Sequence, residues 1–406
     1  MGQVKQAWME DELRGFTLPQ LGEKYTCSKH FDDTYLKQYI LDNAQPGQCS
    51  YCGSNTRVID IHDFMEYVMT RITSHYGNPG DEALYLESSF YDDKDEEIPG
   101  FKRVGGFVTP AFAIHFESAR ELLFELELVA DDEKLNKDIE ACFLYDDWIQ
   151  HAPYMMTKGQ ELSFLWKMFA RMVMHEQRFT FFKRKEFSGE NLTEDNGLMD
   201  ILTELGNLIS ENGLCRTILK GTEVFRCRFT RDGDIVRLFE DITSAPANLA
   251  KQSRMSPAGI SMFYGAFDYD TAMLESSPDG LPTKKPHVAG RFTTITDLTI
   301  LDLTNLPLPS FWMPSDWEGI GFLHSFSWEI TKPIKRDDRI HIEYIPSQVF
   351  TEYLRYIYQP ANNGTIDGVM YKSSLNGASS NNIALFYNQN SSAEVLELQE
   401  LINFPG

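Results

Sequence analysis

The spacing of apolar residues changes character once along this chain. Up to about residue 210 apolar positions recur every three or four residues, the period of a helix with one buried face. Ile61, Phe64, Met65, Val68, Met69 and Ile72 predict a helix over Asp60–Ser74. Further helices are expected over Ser118–Val129, Glu133–Phe143 and Gly159–Gln177, the last with Leu162, Leu165, Met168, Phe169 and Met172 on one face. A helix over Leu198–Ile209 follows the loop Ser188–Gly197, and Gly213 suits its C-terminal cap. Residues 77–112 are rich in Gly, Pro and acids, with D-D-K-D-E-E-I-P-G at Asp92–Gly100, and predict an exposed, irregular connector. Residues 1–23 show no clear period and read as a short helix or a tail.

From about Leu214 the pattern shortens to strands. Val224–Phe229 alternates, with Phe225, Cys227 and Phe229 on one face and Arg226 and Arg228 on the other. Other strands are expected at Met262–Ala266, His287–Thr296, Thr299–Leu303, Phe322–Glu329, Ile340–Tyr344, Val369–Ser373 and Asn382–Tyr387. A helix begins near Asp268–Asp270 and carries Glu275; another spans Ser347–Tyr358. Helices and strands mix without regular βαβ alternation, which predicts an α+β fold with a mixed sheet. The expected divisions are 1–76, 77–212 and 213–406.

At 406 residues the chain exceeds one ordinary core. No apolar run approaches the ~20 residues that span a bilayer, and the N-terminus lacks the apolar core of a signal peptide, so a cytoplasmic location without membrane contact is expected. The net charge of −23 argues against general nucleic-acid binding, because phosphate affinity needs clustered Lys and Arg. Any anion pocket must concentrate its own cations against that background.

The six cysteines are Cys27, Cys49, Cys52, Cys142, Cys215 and Cys227. They do not form a disulfide framework, which fits a reducing compartment. Cys27, His30, Cys49 and Cys52 stand as C-x2-H-x18-C-x2-C. Two close pairs separated by a loop meet the needs of tetrahedral Zn2+, and Gly53 suits the tight turn after the second pair. His62 is an alternative to His30 as the fourth ligand.

Three segments of the C-terminal half carry candidate chemistry. V-F-R-C-R-F (Val224–Phe229) carries Arg226 and Arg228. R-M-S-P-A-G-I-S-M-F-Y-G-A-F-D-Y-D-T-A-M-L-E (Arg254–Glu275) brings an arginine, Tyr264 and Glu275 through a turn, a strand and a helix. D-G-V-M-Y-K-S-S (Asp367–Ser374) carries Ser373, with Asn382 on the next strand. In this order the segments resemble the RES domain, named for its Arg, Glu and Ser and known largely from NAD-destroying toxins. The resemblance implies a mixed-sheet domain similar to ADP-ribosyltransferase folds, with NAD as substrate. Arg226 matches the family's first arginine. Tyr264, in F-Y-G-A, matches its L-Y-x-A; Glu275 matches its glutamate, and Ser373 and Asn382 its serine and asparagine. Arg254 stands where the family reads G-R-x-N-P-x-G, with Gln252 and Ser253 in place of glycines and Ser256 in place of Asn.

These residue types suit cleavage of a nicotinamide–ribose bond. Cations hold a pyrophosphate, since a guanidinium donates two bonds in a fork; an aromatic ring covers a base; a carboxylate binds ribose hydroxyls and stabilises charge developing at C1′. Arg226, Tyr264, Glu275 and Ser373 are therefore the expected catalytic residues, and Arg228, Arg254 and Asn382 the expected substrate-binding ones. The chain has neither a G-x-x-x-x-G-K-[ST] loop nor a dinucleotide-binding fingerprint, which makes NAD a substrate and not a reusable cofactor. Hydrolysis or phosphorolysis in a bacterial toxin or anti-phage effector is the leading expectation. ADP-ribosyl transfer to a macromolecule is the alternative, and a non-enzymatic zinc-stabilised binding module a second.

The N-terminal half resembles the helical region often joined to RES domains and grouped with HEPN domains. HEPN ribonucleases separate Arg and His by four to six residues. Here Arg171 and His175 are separated by three, so the half is expected to do no chemistry and to act as sensor, inhibitor or platform for a homo-oligomer. The resemblance also implies an antitoxin or other regulatory partner.

Overall fold

The computed structural model of the chain describes residues 11–404 apart from 13, 20, 83–99, 105–106, 181–193, 231–234, 278–284, 315, 333–339, 361–363 and 376–379. The acidic run Asp92–Glu97 and most of the loop Ser188–Gly197 lie outside the described residues, as do residues 1–10 of the N-terminal stretch. Two compact units are formed, one from Met1–Thr157 with Pro309–Trp317, the other from Lys158–Leu308 with Glu318–Gly406.

In the first unit, β1 (Tyr25–Thr26), α1 (Thr34–Asn43), β2 (Gln45–Gln48) and β3 (Asn55–Asp60) precede α2 (Ile61–Thr73). β3 is the centre of a three-stranded antiparallel sheet in the order β1-β3-β2. Asp60 caps α2, its carboxylate accepting from the His62 amide. The six apolar residues that predict α2 are all buried. They pack with α4 (Ala119–Glu125), α5 (Glu133–Glu140), and Phe311 and Trp312 of the returning segment. Arg71 of α2 ties that segment down, donating to the carbonyls of Phe311 and Met313 at 2.6 and 2.7 Å.

The expected irregular connector at 77–112 is in part ordered. β4 (Tyr76–Gly77), β7 (His115–Phe116) and β8 (Trp148–Gln150) form a small sheet, with the short α3 (Pro79–Glu82) after β4. β5 (Phe101–Val104) and β6 (Phe107–Pro110) make a hairpin. Gly and Pro punctuate strands here instead of replacing them.

The second unit begins with α6 (Lys158–His175) and α7 (Glu194–Glu211). β9 (Cys215–Ile218), β10 (Glu223–Phe229), α8 (Phe239–Ile242), β11 (Phe263–Ala266), α9 (Tyr269–Ser276), β12 (His287–Thr294) and β13 (Leu298–Asp302) follow. The unit ends with α10 (Trp317–Thr331), α11 (Ile340–Glu343), α12 (Ile345–Tyr356), β14 (Gly368–Lys372), β15 (Asn381–Leu385) and β16 (Leu396–Phe404). Eight strands form one sheet in the order β16-β12-β10-β11-β15-β14-β13-β9, antiparallel throughout except for β13 beside β14. The protein is thus α+β with a mixed sheet.

One face of this sheet carries Val224, Phe263, Phe292, Ile300 and Ile383 in a buried cluster. The other is covered by helices. Trp166 and Phe169 of α6, Leu205 and Leu208 of α7, Phe326 of α10 and Phe350 of α12 pack in one cluster with Val369 and Ala384 of the sheet. α6 and α7 therefore share the sheet's own core. Two expected strands are helical: Phe322–Glu329 lies inside α10, and Ile340–Tyr344 falls on α11. In α10 the buried residues Ile320, Leu323 and Phe326 follow helical spacing, and that pattern outweighs the strand preference of its aromatics. Among the described residues no helix is long and apolar enough to cross a membrane.

Candidate functional site

A cavity of about 790 Å³ in the second unit opens beside β10, β11 and α9. Its position follows from how those strands meet. β10 and β11 pair only at Phe225 opposite Ala266. Gly265 permits that approach, since a Cβ there would stand 2.9 Å from the Phe225 carbonyl. At the next residue of β10 a side chain replaces the ladder, as Arg226 Nη1 donates to the Tyr264 carbonyl at 2.7 Å. The guanidinium also lies 5.7 Å from the centre of the Phe263 ring. Burial pulls its pKa down to about 10, so it stays charged at neutral pH.

Glu275 enters from the last turn of α9, whose start is capped by the Asp268 carboxylate accepting from the Thr271 amide. Ser373 Oγ, just after β14, donates to Glu275 Oε1 at 2.8 Å, and Asn382 Nδ2, on β15, donates to the same oxygen at 2.6 Å. Two neighbouring strands thus converge on a carboxylate that lies far from them in sequence. Glu275, Asn382 and Ser374 line the cavity; Ser373 reaches it through its bond to Glu275.

Tyr264 also lines the cavity, with its hydroxyl 2.9 Å from Ser256 Oγ. Burial pushes that hydroxyl up to about 12, so it remains protonated and can donate. Arg254 lines the cavity with its fork anchored, donating to the carbonyls of Ile330 and Lys332 at 2.8 Å each, at the C-terminal end of α10. Its loop is pinned from α12, where Ser347 Oγ donates to the Arg254 carbonyl at 2.6 Å and Gln348 Nε2 to the Ser253 carbonyl at 2.9 Å. Arg254 therefore presents a fixed charge.

Arg228 is placed elsewhere. It is exposed on the outer part of β10, and its Nη1 donates to the Asp241 carbonyl at 2.8 Å. Strand alternation puts it on the same side as Arg226, but it does not line the cavity. Lys251, Lys372, Tyr344 and Tyr371 do line it, and none was singled out in the sequence. A lone lysine carries no pattern, and β14 pairing with β15 sets Lys372 opposite Asn381, next to the cavity-lining Asn382. Four cations, Arg226, Lys251, Arg254 and Lys372, face the cavity without a carboxylate partner among the described residues.

The first unit holds a candidate metal centre. One ligand atom from each of Cys27, His30, Cys49 and Cys52 lies within 4.8 Å of the others. The Cys27 and Cys52 sulfurs are 3.8 Å apart, and His30 Nε2 is 3.3 Å from Cys49 Sγ. His30 Nδ1 is engaged by the Asp131 carboxylate, the outer partner that orients a ligating imidazole. Burial pushes the Cys27 thiol up to about 12; a central cation offsets that cost by stabilising thiolate. Donor set, spacing and burial fit a metal ion. His62 stands outside the cluster, with Nε2 3.1 Å from the Pro19 carbonyl.

Arg171 and His175 are exposed on α6, and Arg171 pairs with Glu176 at 3.8 Å. They form no enclosed site.

Residues 42–187 match the family described as HEPN/RES N-terminal domain 1, and residues 223–404 match the RES domain. No curated protein matches the chain. The RES match points to an NAD-acting enzyme of the toxin and defence family in general. The chain is a RES domain protein, its RES domain preceded by a HEPN/RES N-terminal domain.

Proposed function

We propose that the protein degrades NAD by breaking the nicotinamide–ribose bond, as a bacterial toxin or anti-phage effector. The observation that carries this reading is the convergence of one oriented carboxylate, Glu275, with four cations that have no carboxylate partner among the described residues, in one cavity of a chain of net charge −23. A volume of about 790 Å³ lies within the range of small-molecule sites.

In this reading Arg226 and Arg254 hold the pyrophosphate, and the Tyr264 ring lies against a base. Ser373 and Asn382 hold Glu275 beneath the ribose, where its charge stabilises the cation developing at C1′. The C1′–N bond breaks, its electron pair leaves with neutral nicotinamide, and water adds to C1′. The products are ADP-ribose, nicotinamide and one proton released to solvent. Inorganic phosphate as acceptor gives the phosphorylated sugar in place of ADP-ribose. Glu275 and the arginines serve the shared bond-breaking step in either case.

The metal of the first unit is proposed to be Zn2+, held by Cys27, His30, Cys49 and Cys52. A cation with four protein ligands has no open position for chemistry, so its role is to hold the unit's fold.

The test is incubation of the purified chain with NAD, with and without inorganic phosphate, separating nicotinamide from the sugar product. Release of free nicotinamide with ADP-ribose or its phosphorylated form supports the proposal. ADP-ribose found only on a macromolecule supports the transfer alternative, and intact NAD overturns the reading.

A further inference from the structure

A second, smaller cavity of about 240 Å³ adjoins the first, and Arg226, Lys251, Ser253 and Tyr264 line both. Beyond that shared wall the character changes. Leu249, Ala250, Ile260 and Met262 line the smaller cavity beside Ser256 and Ser261, whereas Glu275, Lys372 and Asn382 line only the larger. A polar chamber with a carboxylate therefore meets a chamber with an aliphatic wall and no carboxylate, across a boundary bearing two cations.

A dinucleotide has the same order of chemistry: a reacting riboside, a dianionic bridge, and a second nucleoside ending in a flat base. We propose that the smaller cavity is the subsite for the base of the non-reacting nucleoside, and that Lys251, together with Arg226, holds the pyrophosphate as it crosses between the chambers. This rests on the reading of the larger cavity as the site of NAD cleavage, and it adds the means by which a dinucleotide is selected over a mononucleotide.

Lys251 is suited to that place. It is exposed, lines both chambers, and has no carboxylate partner among the described residues. Its ammonium is a flexible point charge, complementing the anchored guanidinium of Arg226. Ala250 beside it is held from the other side of the loop, where the Gly259 amide donates to its carbonyl at 3.0 Å. The chamber wall is thus tied in place before a ligand arrives.

The probe is ADP, which has the pyrophosphate and far nucleoside but no nicotinamide riboside. Its binding is measured by calorimetry on the full chain, so the test is independent of turnover. Wild type and Glu275→Gln are expected to bind ADP alike, since Glu275 lies in the other chamber. Lys251→Ala, which removes an exposed side chain and leaves the core untouched, is expected to weaken ADP at least ~10-fold, in the range of a charge-assisted contact. Ala250→Phe, which fills the smaller chamber, is expected to do the same at an unchanged melting temperature. ADP affinity unchanged in Lys251→Ala, or no ADP binding by wild type, overturns the proposal. Loss of ADP binding in Glu275→Gln places the nucleotide wholly in the larger chamber and also overturns it. If ADP follows the expected pattern while NAD stays intact, the subsite stands and only the cleavage reading fails.

Discussion

Ser373 Oγ and Asn382 Nδ2 both donate to the same oxygen of Glu275, which fixes the orientation of the carboxylate before substrate arrives. Glu275→Gln keeps the shape and removes the charge, and is expected to lower the rate of NAD loss by about 10²–10³, equivalent to ~3–4 kcal/mol. Arg226→Ala removes the bond to the Tyr264 carbonyl and, in the proposed reading, a pyrophosphate contact. Its NAD turnover is expected to fall by a similar factor, measured as nicotinamide release at saturating and at low NAD. Arg228 supplies the contrast: it is exposed and turned toward Asp241. Arg228→Ala is expected to leave turnover within about twofold, the usual range for surface substitutions. A loss as large as that of Arg226→Ala would place Arg228 in the site after all. Alternation puts Arg226 and Arg228 on one strand face, so periodicity alone does not separate them. What separates them is that β10 meets β11 at Phe225, one residue before Arg226, a tertiary fact that strand periodicity does not carry.

At the scale of elements, close strand contacts explain why two glycines are needed. A Cβ at Gly265 would stand 2.9 Å from the Phe225 carbonyl, and one at Gly368 would stand 2.4 Å from the Ala384 carbonyl. Backbone cannot yield as a flexible side chain can, so Gly265→Ala and Gly368→Ala are expected to destabilise the second unit by ~1–3 kcal/mol or more, read as a lowered melting temperature. Melting temperatures equal to wild type would show that the strands separate at little cost. The metal cluster is a second element with a direct test. Cys49→Ser with Cys52→Ser is expected to abolish co-purified zinc and to loosen the β1-β3-β2 sheet, followed as faster hydrogen exchange over residues 24–60. Structural zinc contributes ~10–16 kcal/mol of apparent binding energy in small units, so zinc retained in that variant would contradict the assignment. Much of this level was legible in the sequence. The four clustered residues were read from spacing, and α2 from six apolar positions that are all buried. α10 is read as a strand from Phe322, Phe326 and Trp328, which suit strands well, although its buried Ile320, Leu323 and Phe326 keep helical spacing. β16, which forms an edge of the main sheet, was also missed: L-E-L-Q-E-L-I-N-F mixes polar and apolar residues as an exposed edge does.

At the scale of the molecule, the change of texture near Leu214 and the division into compact units fall at different places. The second unit begins at Lys158, and Trp166, Phe169, Leu205 and Leu208 of α6 and α7 are buried in the same cluster as Val369 and Ala384 of the sheet. Periodicity marks where helices give way to strands, but not which helices cover the sheet. A fragment beginning near Leu214 strips that cover and exposes a broad apolar face. It is expected to be insoluble or inactive; a soluble fragment consuming NAD faster than the full chain would instead show that the preceding region inhibits. The chain is acidic overall, with a net charge of −23, yet four cations line one cavity of the second unit. The most direct test of the central claim is the amount of nicotinamide released from NAD by the purified full-length chain and by its Glu275→Gln variant. The account predicts rapid stoichiometric release by the wild type and a rate lower by about 10²–10³ in the variant. Equal rates in the two, or no release by the wild type, would contradict it.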